Sequence, residues 1–181
     1  MTETQETVPA RLNPAQREDL LRRSWMANDG LWFYHTAQAS GIDAANERNI
    51  VVVREFGRQE MRRLMRALDI REVTNLDQYQ RLFDTAVELF LGPLIQLTDT
   101  YSSAAHEISV SSCFAFTGVR RAGIEKVYHC GPGERLLGWL EAMELGSTVV
   151  PEVGLCQMAH TGSCGYRVEV DAPWFRLAEE S

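Results

Sequence analysis

The chain has 181 residues, enough to bury a hydrophobic core without disulfides, and its 45% hydrophobic and 24% charged residues are ordinary for a globular protein. The net charge of −7 argues against nucleic acid and membrane surfaces as partners. The N-terminus lacks the apolar segment of a signal peptide and no run approaches 18 apolar residues, so we expect a cytoplasmic protein with reduced cysteines.

The first half of the chain reads as helical. Residues 1–12 are predicted to be a disordered tail, and Asn13-Pro14 is a good helix start because an Asn cap precedes a proline in the first turn. Apolar residues then recur at three- and four-residue spacing in three successive segments, up to the stop at Gly92-Pro93. Residues 13–93 are therefore predicted to form a bundle of three helices.

The periodicity changes after Pro93. Residues 94–103 and 106–116 are rich in β-branched and aromatic residues and predict two strands, followed by a short helix at 117–123. A fourth helix is expected at 134–145, and two strands at 152–159 and 164–172 are joined by a turn. Residues 94–174 thus predict a small antiparallel sheet with one or two helices, and the whole chain predicts one compact α+β unit.

Four cysteines fall within 52 residues of this second region, and the rest of the chain has none: Cys113, Cys130, Cys156 and Cys164. Each could be a small buried apolar residue, because free cysteine is among the most buried residue types. The cluster could instead hold zinc or iron through cysteines and histidine, with His160 as a further ligand, although no Cys-x-x-Cys pair is present. If it is a site, at least three sulfurs should lie within about 7 Å of one another.

A third interpretation is a thiol nucleophile. Cys130 follows His129 and precedes the predicted fourth helix, whose free N–H groups would favour a thiolate. The sequence therefore predicts that Cys130 alkylates faster than Cys156. Cys113 is the next candidate nucleophile, and His129 is the candidate general base. Three arginines are candidates for binding a substrate carboxylate: Arg120, Arg121 and Arg135.

The segment "WMANDGLWFYHT" places aromatic residues and an aspartate on one helical face. Trp25, Asp29, Trp32 and Phe33 either pack into the core or form a pocket wall in which Asp29 and Trp32 touch the substrate. Because an unpaired buried carboxylate is costly, Asp29 is expected to pair with an arginine such as Arg54 or Arg58.

The motifs "CFAFTGVRRAGI", "YHCGPGERLLGWLEAM" and "GLCQMAHTGSCGYRVEV" resemble the C-terminal part of the L-2-amino-thiazoline-4-carboxylate hydrolase group. They are more similar still to a branch of it with a helical N-terminal region. The resemblance spans roughly residues 16–171. It rests on a shared set of single residues: Cys113, Arg120, Arg121, Gly123, Cys130, Arg135, Trp139, Cys156, Gly162, Cys164 and Tyr166. It implies cysteine-dependent chemistry on a small, heteroatom-rich carboxylic acid.

Three functions remain open from the sequence. The first is a small-molecule hydrolase or lyase with a thiol-centred site, with or without a metal. The second is a non-catalytic zinc or iron module built from cysteine and histidine. The third is a ligand-binding protein that forms a homodimer.

Overall fold

The computed structural model of the chain describes residues 11–102 and 105–176. Most of the tail predicted at residues 1–12 lies outside the described residues. Among the described residues, no helix combines the length and the apolarity needed to cross a membrane.

The helices of the first half begin and end where polar and glycine residues cap them. α1 (Pro14–Ser40) starts with a capping box in which the Asn13 side chain accepts from the Gln16 N–H and the Gln16 side chain accepts from the Asn13 N–H. α2 (Ile42–Ala67) follows Gly41. α3 (Leu76–Ala86) is capped by Asn75 and continues as a π-helical turn, Val87–Leu91, and a 3₁₀ turn, Gly92–Leu94.

The second half forms one four-stranded antiparallel sheet. Its strands are β1 (Ile95–Tyr101), β2 (His106–Cys113), β3 (Ser147–Val150) and β4 (Cys164–Val170), in the order β1-β2-β4-β3. No strand precedes Ile95 in the described residues. The predicted change from helices to strands at Pro93, and the α+β class, are therefore confirmed.

Short helices lie between these strands and after the last one: α4 (Phe114–Arg121) and α5 (Gly131–Ala142) between β2 and β3, α6 (Gln157–Thr161) between β3 and β4, and α7 (Pro173–Arg176) after β4. Two predictions are wrong here. The strand expected to run through residue 116 ends at Cys113, where α4 begins, and the strand expected at 152–159 is a loop followed by α6. Both segments are short apolar runs, and in such runs periodicity does not separate strand from helix.

α2 and α5 pack closely against each other through two glycines. Gly57 lies against the carbonyl group of Arg135, and Gly138 lies against the carbonyl group of Arg54. A Cβ at either glycine would overlap backbone atoms, so only glycine allows the two helices to approach this closely. This contact fixes the first two turns of α5 against α2, which positions one wall of the candidate site.

α1 is the least buried long helix. It has no buried residue, and Leu21 and Trp32 are 72% and 70% exposed. It is held to α2 by stacking of Trp25 on Phe56, with ring centroids 5.3 Å apart, and to the second half by an edge-to-face contact of Phe33 with Tyr128. The aromatic stripe of α1 therefore borders a groove rather than entering the core.

Candidate functional site

A groove of about 920 Å³ lies between α1, α2, α4 and the start of α5. Its walls are dominated by apolar and aromatic side chains, among them Trp25, Phe33, Val52, Phe56, Phe114 and Val119. A concave space of this volume, mostly apolar with few polar groups, is the usual form of a site for a small organic molecule. We call it the apolar groove.

A few polar groups meet at the inner end of the apolar groove, where α5 begins. The Tyr128 hydroxyl accepts a 3.0 Å hydrogen bond from the Gly131 N–H. A Cβ placed on Gly131 would lie 2.6 Å from the Tyr128 Oη and 3.2 Å from the Asn49 Nδ2. The hydroxyl and the amide therefore lie next to each other and to the helix start, and residue 131 must be glycine to leave them this space.

Asp29 projects from α1 into the apolar groove. Burial raises the pKa of its carboxyl group, and the positive charge of Arg135 acts in the opposite direction with a smaller effect. Within the described residues, no hydrogen bond or close ion pair reaches this carboxylate. A titratable group with a perturbed pKa in a pocket is a candidate for ligand binding or chemistry.

The expected partners of Asp29 are engaged elsewhere, so that prediction is wrong. Arg54 Nε lies 3.0 Å from Glu134 Oε2, and Arg58 Nη1 lies 2.7 Å from Glu55 Oε2. Both arginines are on α2 and turn toward acidic residues of α2 and α5. Their charges are used to hold these two helices together.

Arg135 is buried beside the apolar groove and is already paired. Its Nε donates to Glu60 Oε2 at 2.6 Å, its Nη2 binds the other carboxylate oxygen, and Trp139 Nε1 donates to the same Glu60. The guanidinium also lies 5.3 Å from the centre of the Phe56 ring. A ligand carboxylate would have to compete with Glu60 for this arginine.

The remaining predicted substrate residues are more peripheral. Arg121 lies at the exposed edge of the apolar groove, whereas Arg120 is exposed and sits 5.9 Å over the Phe116 ring. Trp32 points into solvent rather than into the groove. The structure therefore brings Asp29, Arg135 and Arg121 to one groove and leaves Arg120 and Trp32 outside it.

The four cysteines gather in a second place, behind the wall of the apolar groove. Each of the four thiols interacts electrostatically with the other three. Cys113, Cys130 and Cys156 are the residues directly before α4, α5 and α6, and Cys164 begins β4. We call these four residues the cysteine cluster.

Burial has a larger effect than the helix ends on the pKa of three of these thiols, those of Cys113, Cys130 and Cys164. It raises the pKa of Cys130 to about 11 and that of Cys164 to about 12, and it also raises the pKa of Cys113. The Gly133 amide and the Tyr166 hydroxyl stabilise the Cys130 thiolate, but their effect is smaller than the cost of desolvating it. The prediction that the Cys130 thiolate is favoured is therefore wrong.

His129 is not directed at Cys130. Its Nε2 lies 2.8 Å from Glu134 Oε1. His129 forms a β-bridge with Leu155, and in an extended segment neighbouring side chains point to opposite sides, so Cys130 and the imidazole diverge. The sequence neighbours are not spatial partners, and His129 is not placed to act as a base on Cys130.

The described residues give no support to a metal site. His160 is exposed, and its Nε2 lies 3.0 Å from the carbonyl oxygen of Lys126. Across residues 11–102 and 105–176, no group of three or more histidine, cysteine or acidic residues is spaced to hold a metal ion. Zinc or iron binding by the four cysteines and His160 stays a prediction.

Tyr128 connects the two places. It lines the apolar groove, and its hydroxyl interacts electrostatically with Cys130, Cys113 and Asp29. None of the four cysteines is among the described residues that line the groove. The sequence analysis did not identify Tyr128 or Asn49, because neither belongs to a motif and their meeting depends on the α2–α5 packing.

Residues 17–146 match the family described as "Family of unknown function (DUF6125)", and the chain belongs to this family. No curated protein and no solved structure matches the chain significantly. The matched residues include every residue that lines the apolar groove, together with Cys113 and Cys130, whereas Cys156 and Cys164 lie beyond them.

Proposed function

We propose that this protein binds a small, largely apolar organic molecule in the apolar groove, with the polar end of that molecule at Asp29, Asn49 and Tyr128. The observation that carries the proposal is a groove of about 920 Å³ with mostly apolar walls, in which the Tyr128 hydroxyl lies beside the Asn49 amide and interacts electrostatically with Asp29. An apolar surface of this kind is maintained on a protein mainly where something binds to it.

The groove walls differ in how firmly they are held. The α5 side is fixed by the close α2–α5 contact, whereas α1 has no buried residue. A ligand in the apolar groove would add apolar contacts to α1 on its inner face. Binding is therefore expected to stabilise the protein against unfolding, because a ligand that binds only the folded state shifts the folding equilibrium.

A fluorescence titration tests the proposal. N-phenyl-1-naphthylamine is a neutral apolar dye whose emission rises when it leaves water, and we expect it to bind at one site per chain. Gly118 lines the groove, and a Cβ there would have open space. Gly118→Phe should fill the groove without a clash and weaken dye binding at least tenfold.

The matched control is Gly154→Phe. Gly154 also has open space around an added Cβ, but it does not line the apolar groove. We expect the Gly154→Phe variant to bind the dye with the same affinity as the unmodified protein. Equal binding by both variants would overturn the proposal. A dimer by light scattering that binds no dye and dissociates in Gly118→Phe would assign the groove to a second copy of the chain.

A second candidate function is the thiol chemistry implied by the resemblance to the thiazoline carboxylate hydrolases. The observation that favours it is the cysteine cluster, in which three cysteines lie directly before helices, the fourth begins β4, and all four interact electrostatically. A hydrolase or lyase of this type would use Cys130 or Cys113 as nucleophile in a reducing, cytoplasmic compartment. It would require the substrate to lower a thiol pKa that burial now raises, and a faster alkylation of Cys130 with substrate bound would test this.

A further inference from the structure

Asp29 is flanked by aromatic residues on its own helix. Trp25 and Phe33 lie four residues before and after it, so all three side chains are on the same face of α1. All three line the apolar groove. A carboxylate between aromatic rings is the arrangement that binds organic cations, because the ion pair and the faces of the rings both attract positive charge.

The other charges around the apolar groove are already balanced or solvated. Glu55 lies at the groove and is paired with Arg58 at 2.7 Å. Arg135 is paired with Glu60 in the protein interior, and Arg121 is exposed to water. Asp29 is therefore the lining carboxylate left without a close partner among the described residues, although burial has removed part of its hydration.

A ligand carboxylate fits this end of the groove poorly. It would face the Asp29 carboxylate, and the nearby Arg135 could reach it only by leaving Glu60. A ligand ammonium would instead supply the missing partner of Asp29. The Arg135 charge opposes it only weakly, because Glu60 neutralises that charge at hydrogen-bond distance.

We infer that the ligand of the apolar groove is an organic cation, in which an ammonium group pairs with Asp29 and an apolar body lies along α2 and α4. This inference rests on the proposed function, since it requires that a small molecule occupies the groove. The inference adds to the proposed function the charge of the ligand and the residue, Asp29, that selects for this charge.

Three probes with the same chain and different head groups test the inference: octylamine, 1-octanol and octanoate. Each is used below its micelle concentration to displace N-phenyl-1-naphthylamine at about pH 8, where an alkylamine is protonated and Asp29 is ionised. We expect octylamine to displace the dye at a concentration at least tenfold lower than octanol, and octanoate to be the weakest of the three.

Two variants assign this preference to one carboxylate. Asp29→Asn should reduce the affinity for octylamine to that for octanol, with each displacement referred to the dye affinity of the same variant. Glu55→Gln removes an equal charge from the same groove, but its carboxylate is already paired, so the preference for octylamine should persist. Circular dichroism checks that both variants are folded.

The outcomes separate this inference from the proposed function. Equal displacement by the three probes, or a preference for octanoate, would overturn the inference that the ligand is a cation. The proposal that the groove binds a small molecule would still stand. A preference that survives Asp29→Asn, or that is lost equally in Glu55→Gln, would also overturn it, because the net charge of the protein would then be the cause. Failure of the unmodified protein to bind the dye would overturn both.

Discussion

The apolar groove and the cysteine cluster are neighbours, but their ionisable groups are in opposite environments. The groove is open, and the Asp29 carboxylate in it has no close partner in the described part of the chain. In the cluster Cys130 and Cys156 are buried and Cys113 and Cys164 are half-buried, and burial keeps the Cys130 thiol protonated. Reactive residue types are therefore concentrated in one place, and accessible polar groups in the other.

This difference shows that residue type alone does not locate a site. Four cysteines are a stronger signal in the sequence than one aspartate, yet a buried neutral thiol is a poor nucleophile and is chemically close to a small apolar residue. An aspartate in an apolar groove is unfavourable unless something pairs with it. The groove is thus the better candidate for binding, and the cluster can act only if a ligand changes its surroundings.

The largest expected effect comes from the ion pair that separates the groove from the core. Glu60→Ala would leave the Arg135 guanidinium buried without its carboxylate, and we expect a loss of about 3–5 kcal/mol in the free energy of unfolding, measured with urea. Glu55→Ala removes a half-exposed partner and should cost much less, because an exposed ion pair is screened by water. Similar losses in the two variants would show that Arg135 is solvated from the groove.

A buried histidine tests whether burial controls protonation elsewhere in the fold. His106 on β2 is fully buried, its Nδ1 lies 3.0 Å from the Tyr79 hydroxyl, and its ring stacks on Tyr101. Desolvation lowers its pKa to about 4, against an opposing effect of Asp84 and Glu107. The unfolded chain therefore binds a proton near pH 6.5 that the folded protein binds only near pH 4.

The stability that His106 contributes should be complete above about pH 6.5 and should fall by about 3 kcal/mol as the pH drops to about 4. Urea unfolding of the unmodified protein and of His106→Gln at a series of pH values measures this. Since carboxylates titrate in both proteins, the comparison isolates the histidine. The same acid sensitivity in His106→Gln would contradict the prediction.

The rate of alkylation measures directly how far burial protects the cysteine cluster. A pKa of about 11 leaves very little Cys130 thiolate at neutral pH, so iodoacetamide should modify Cys130 about a hundredfold more slowly than a cysteine in an unstructured peptide. Peptide mapping by mass spectrometry gives the rate, and the urea-unfolded protein is the control. A Cys130 that reacts as fast in the folded protein would restore the nucleophile interpretation.

The sequence predicted the secondary-structure elements better than the contacts between them. The helices before Pro93 and the strands at residues 95–101 and 164–170 follow from periodicity and caps, which are local. The orientation of His129, away from Cys130, depends on its bridge to Leu155, and the partners of Arg54 depend on the α2–α5 packing. These are long-range contacts, and no local pattern encodes them.

The smallest expected effect is a gain in stability at Asp29. The folded protein disfavours the ionised carboxylate, because the groove desolvates it without supplying a close partner. Asp29→Asn should therefore raise the free energy of unfolding at neutral pH, by up to about 1 kcal/mol, as expected where a binding residue is kept at the expense of stability.

The control variant Glu55→Gln should not stabilise the protein, since it removes an existing ion pair with Arg58. Urea unfolding near pH 7 measures both. A loss of stability in Asp29→Asn would mean that Asp29 has a structural role, and the difference between the open groove and the cysteine cluster would then be smaller than the structure indicates.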